Sequence, residues 1–178
     1  MSMRIRIAVV TIAGAGIIAA GSGAAALAGP VAPSRASAVR RLSSKTFAVT
    51  VSVPVSWTRT PYAETFAYDG HSGWMSLSAA TEPEGLRASC QVVATSGTLH
   101  IFGKHPRIIF RAIDGRPGCI ILPSKDAPRS PVRQGGPRFQ LAQALVVYRH
   151  PLMGYPLLVI FADPAHVRAL VNSAQLHH

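Results

Sequence analysis

The sequence predicts an α+β fold in which a mostly antiparallel sheet of about six to seven strands is covered by two helices. Three observations carry this reading. Apolar segments with strand-like spacing recur behind short turn sequences, the pattern of strands joined as hairpins. Two helix-start signals, Thr81-Glu82-Pro83-Glu84 and Asp163-Pro164, each precede apolar residues spaced along one helical face. The chain beyond its apolar N-terminus is of one domain's length, enough to bury about two-thirds of its surface.

The N-terminus comes first. Arg4 and Arg6 supply a positive start, Ile7 to Ala28 carries no charge, and Ala26-Leu27-Ala28 closes the stretch with small residues. This is the layout of a secretory signal peptide over 1–28, cleaved after Ala28. Retention as a membrane anchor is the alternative, since about 20 apolar residues can span a bilayer. Its Gly and Ala content argues against that, because these residues insert weakly. No Cys precedes Cys90, so there is no N-terminal Cys for a lipid. Residues 29–45, rich in Pro, Ala, Ser and Arg, read as a disordered linker with a second, weaker cleavage site at Ala36-Ser37-Ala38. The folded domain is expected over 46–178.

Its elements follow in order. Phe47, Val49, Val51 and Val53 alternate with small polar residues, giving a strand with one buried face that Pro54 ends. Pro54-Val55-Ser56-Trp57 makes a corner with Trp57 against the core. Thr65–Tyr68 and Trp74–Ala80 read as strands joined by the hairpin loop Asp69-Gly70-His71-Ser72-Gly73. Thr81 and Glu84 match a capping box, and Leu86, Cys90 and Val93 share one face of the helix that should follow. Arg107–Ile113 and Gly118–Leu122 form a hairpin through Asp114-Gly115. Pro123 to Pro137 is expected to be a mobile loop. Phe139–Arg149 and the almost wholly apolar Leu157–Ala162 are strands, the latter central. Asp163 as N-cap and Pro164 at the first helical position then open a helix whose stripe is Val167, Leu170, Val171 and Ala174.

Charge and cysteines set the chemical frame. Lys and Arg number 18 against 7 Asp and Glu, a net charge of +11 that falls by two, to +9, when Arg4 and Arg6 leave with the signal. Such a surface attracts anionic partners, namely phosphate-rich envelope polymers, lipid head groups or nucleic acid; the alternative is an unremarkable basic surface, since the basic residues are scattered. Cys90 and Cys119 in an exported chain read as a disulfide. Closing about 30 residues should stabilise the fold by ~3 kcal/mol. Buried free thiols, or a Cys nucleophile with a neighbouring His, are the alternatives.

The element order resembles the Mog1/PsbP-like family. The likeness spans roughly Thr46 to Leu176. It is carried by the opening strand into Pro54-Val55-Ser56-Trp57, the turn Ile113-Asp114-Gly115-Arg116-Pro117 and the apolar strand before the last helix. The resemblance implies an α/β/α sandwich and a kinship with small exported bacterial proteins. It implies no shared catalytic constellation, and no lipid tether, since the acylated Cys of the lipoprotein members is absent.

Few residues are left for chemistry. Ser72 in Gly70-His71-Ser72-Gly73-Trp74 resembles a nucleophile elbow, but Trp74 replaces the final Gly and a strand follows where a helix is required. His100 and His105 sit in one loop without the further close ligands zinc needs. His177 and His178 are expected to fray. No cofactor motif is present: there is neither a P-loop nor a dinucleotide fingerprint. The best lead is the set Lys125, Arg129, Arg133 and Arg138, whose guanidinium groups can hold phosphate or carboxylate in bidentate fashion. Nucleic acid is disfavoured, because only Phe139 offers a stacking surface nearby. The expected function is a secreted, non-enzymatic protein binding an anionic or protein partner at the cell envelope. The rivals are a secreted hydrolase using Cys90 or Ser72 and a membrane-anchored accessory subunit.

Overall fold

The computed structural model describes residues 38–60, 66–81, 84–95, 100–131 and 137–177. The expected signal segment 1–28, the linker as far as residue 37, Arg133 and His178 lie outside the described residues. The chain folds as α+β, with mostly antiparallel sheet and two helices among the described residues.

Order begins earlier than the sequence suggests. Val39–Ser44 is a strand, β1, and not part of a linker; it pairs antiparallel with β2 (Val49–Pro54) through a turn in which Ala48 adopts φ 46°. The strand has no sequence signature because Val39, Arg40 and Arg41 are exposed and leave no apolar alternation to display. Val49, Val51 and Val53 are fully buried and Trp57 is completely enclosed, as their spacing predicts.

Next come β3 (Thr58–Arg59), β4 (Phe66–Gly70) and β5 (Gly73–Ala80), then α1 (Leu86–Thr95). The capping box does not cap α1. Gly85, at φ 87°, separates Thr81 and Glu84 from the helix, a left-handed conformation that a helix interior excludes. The hairpin β6 (Arg107–Ile113) and β7 (Arg116–Leu122) follows, turned by Asp114 and Gly115 at φ 50° and 71°. Both values are positive, as a two-residue type I′ turn requires.

The stretch after β7 is more tightly held than a mobile loop. Within 123–131, Ala127 is buried, and Gln140 Nε2 donates to the carbonyl oxygens of Ser124, Lys125 and Ala127 at 3.0–3.3 Å. The short strands β8 (Ser130–Pro131) and β9 (Arg138–Phe139) pair with each other. The chain continues as β10 (Ala142–Leu152), β11 (Tyr155–Ala162), α2 (Val167–Ser173) and β12 (Gln175–Leu176). β12 adds to β2, and His177 is tied down: its backbone N–H donates to the Ala48 carbonyl at 2.9 Å and its Nε2 lies 2.7 Å from Thr50 Oγ1. Asp114 and Arg116 at the β6–β7 turn hold the same segment, bonding the N–H and C=O of Leu176.

Among the described residues the strands form three sheets: β1-β2-β12, β3-β4-β5-β11-β10-β7-β6, and β8-β9. Alternation along the central strands sends side chains into two cores. Ile120, Ala144, Val146, Leu158 and Ile160 meet β2 and α2, together with Trp57. Cys119, Ile121, Leu145 and Val159 meet α1 and Phe102. Cys90 on α1 is bridged to Cys119 on β7 with a Cα separation of 6.6 Å, so the disulfide fastens the helix to the sheet.

Candidate functional site

The tip of the β4–β5 hairpin is where the polar residues converge. Gly70 and Gly73 pair directly and leave His71 and Ser72 exposed at the turn. Both glycines are dictated by close approach. A Cβ on Gly70 would stand 2.6 Å from Trp57 Cδ1, and one on Gly73 would stand 2.3 Å from Asp163 Oδ2 and 2.5 Å from His166 Nδ1.

Asp163 is the anchor behind that tip. It is 2% exposed, and its carboxylate accepts from the N–H groups of Ala165 (3.0 Å) and His166 (3.2 Å), which fixes the turn leading into α2; the N-cap itself is His166 and not the expected Asp163, because the helix starts at Val167, beyond Pro164. The same carboxylate takes the Trp74 N–H at 3.0 Å and lies 2.9 Å from His166 Nδ1. A buried carboxylate is costly unless hydrogen-bonded, and these donors meet that cost. The His166 ring packs edge-on against Trp57, with centroids 4.9 Å apart, and Trp57 Nε1 donates to Ser72 Oγ at 3.2 Å. The Arg40 guanidinium bonds the Trp57 carbonyl, tying β1 to the same cluster.

Ser72 borders three adjoining depressions. One, of about 410 Å³, includes His71 and Pro137; a second, of about 230 Å³, has His166 in its wall; a third, of about 350 Å³, is lined by Arg129, Arg138, Phe139 and Asp163. The structure thus brings two of the four sequence-predicted cations, Arg129 and Arg138, to one cleft beside a hydroxyl. The β8–β9 pairing brings the two segments together, with Arg129 just before β8 and Arg138 in β9 opposite Pro131. Lys125 is exposed elsewhere on the loop and does not line the cleft, and Arg133 lies outside the described residues.

The neighbouring Asp126 serves the loop itself. Its carboxylate accepts from Ser124 Oγ (2.5 Å) and the Lys104 N–H (3.0 Å), and these bonds hold its pKa below the usual carboxylate value.

The hydrolase candidates fare differently. Cys90 is fully buried and oxidised, so it offers no thiolate. Ser72 Oγ accepts from Trp57, and no hydrogen bond joins it to His166 among the described residues. An activated serine needs that contact with a base. His100 and His105 are exposed, and among the described residues no three His, Cys, Asp or Glu side chains converge as a metal site would require. No helix among the described residues is long and apolar enough to cross a membrane.

Sequence reasoning did not link Trp57, Asp163 and His166 to Ser72. The signal was present in the paired glycines around His71-Ser72, which mark close approach as well as a turn. Comparison with protein-family models, curated proteins and solved structures finds no match for this chain.

Proposed function

We propose that this is an exported, non-enzymatic protein that binds an anionic, phosphate-bearing component of the cell envelope through the cleft between the β4–β5 tip and the β8–β9 ribbon. One observation carries the reading: Arg129 and Arg138 share that cleft with Ser72, and the carboxylate in its wall, Asp163, is buried and already saturated by its own donors. Two guanidinium groups and a hydroxyl suit phosphate oxygens, which accept several charge-assisted bonds at once. The basic excess adds long-range attraction. The disulfide and the signal-like N-terminus support export. We read the layering of α1 and α2 on the two faces of the large sheet as the α/β/α sandwich of Mog1/PsbP-like proteins; the two separate cores support this.

The test is retention on immobilised long-chain polyphosphate across a salt gradient. Replacing Arg129 and Arg138 together with Ser should lower the eluting salt concentration sharply, with unchanged thermal unfolding, since exposed charges contribute little stability. The change Lys125→Ser should have a much smaller effect, because Lys125 is outside the cleft. Equal effects of the two changes would mean that only net charge matters, and the cleft reading would fail.

A further inference from the structure

The cleft between α1 and the large sheet is a second binding site: we propose that it takes a small neutral amphiphile, an apolar body carrying one hydroxyl. Its volume is about 310 Å³, at the lower end of the range for small-molecule sites. Val92 and Val93 of α1 face Leu145 and Leu157 of the sheet across it. Two polar side chains break the apolar lining. Ser89 is 8% exposed, and its Oγ is buried with no hydrogen-bond partner. Gln143, on β10, is 6% exposed. Buried polar groups are almost always satisfied. Here the unsatisfied hydroxyl belongs to a residue that lines the cavity. A serine hydroxyl can both donate and accept, so a single ligand hydroxyl suits it in either role.

Charge selects the head group. The charged residue lining the cleft is Glu84, with no Lys or Arg there to receive an anion. A carboxylate or phosphate head is therefore disfavoured, in contrast to the cleft beside Ser72. The wall is also fixed in place: Cys90, next to Ser89, is bonded to Cys119 on β7. A preformed cleft loses less ordering entropy on binding than one that must be assembled.

The experiment follows amide resonances of the oxidised, isotopically labelled protein during titration with 1-octanol and, in parallel, with octanoate. Saturable shifts are expected at Ser89, Val92, Gln143 and Leu145, with octanol binding at least about tenfold more tightly than octanoate. Ser89→Ala should weaken octanol binding by roughly fivefold to tenfold, the worth of one hydrogen bond. Val92→Trp, at a position 56% exposed and so tolerant of size, should close the mouth and remove the saturable shifts. Absence of saturable shifts, equal affinity for octanoate, or wild-type binding by either variant would overturn the proposal. The Arg129/Arg138 double variant should bind octanol normally, so failure of the polyanion reading leaves this result intact.

Discussion

Reduction of the Cys90–Cys119 bond should cost this protein a large part of its stability. The bond joins residues 29 apart in sequence, and the chain-entropy relation for that separation gives a loss of about 12 cal/mol/K, or about 3.6 kcal/mol at 25 °C. Reduction is the cleaner perturbation. It keeps both sulfur atoms in a site where both cysteines are fully buried, whereas Cys→Ala would add a cavity. The assay is urea unfolding of the oxidised and fully reduced protein, followed by the fluorescence of Trp57 and Trp74 and with thiol titration confirming reduction. With a urea dependence of about 2 kcal/mol/M, the midpoint should fall by roughly 1.8 M. The dependence itself should steepen, because the reduced unfolded chain expands further. A loss below about 1 kcal/mol with full reduction would refute the reasoning, showing that α1 is held by its packing against Phe102, Ile121 and Leu145 alone.

Other outcomes follow from single contacts. Tyr148 is buried and its hydroxyl donates to the Phe47 carbonyl at 2.8 Å; burial pushes its pKa up to about 12, partly offset by Arg116. The folded-state pKa lies above the unfolded value near 10, so this contribution is intact below pH 10 and is lost as pH rises toward 12. At 1.36 kcal/mol per pH unit the loss reaches about 2–3 kcal/mol. Denaturant titrations of wild type and Tyr148→Phe at pH 8 to 11.5 should show the wild type falling more steeply above pH 10; parallel curves would exclude Tyr148 as the cause. Gly73→Ala should destabilise by about 2–3 kcal/mol through collision with Asp163 and His166. Gly115→Ala, with open space but φ 71°, should cost only about 1–2 kcal/mol; equal melting temperatures for the two would contradict the steric account. Intact mass of protein recovered from the medium should correspond to a chain starting at Gly29, and a mass that retains Met1 would reverse the export reading.

Local chemistry made the hairpins legible. Asp114-Gly115 states its turn outright, since few residue pairs accept positive φ at both positions, and β6 follows directly from that signal. The alternation in β2, the apolar run of β11 and the turn that Asp163 holds before α2 are likewise properties of neighbouring residues. The two cysteines were pairable because one lay on a helix face and the other on a strand that must pack together.

What the sequence could not display is order imposed from a distance. β1 and β12 are edge strands held by backbone hydrogen bonds to β2, which need no side-chain pattern. The capping box at Thr81 was a sound local signal, overridden by Gly85. The site depends most on such distant contacts. Ser72 meets Trp57 across 15 residues, and Asp163 meets Trp74 across 89. Arg129 and Arg138 share a cleft because a two-residue ribbon pairs. The unsatisfied hydroxyl of Ser89 exists only once α1 lies on β10. By itself the sequence determined the longer buried elements and the hairpin turns, because those energies are set within a few residues. Which side chains face one another across a cleft was decided only by tertiary packing, where a strand's register and a helix's seat are chosen together.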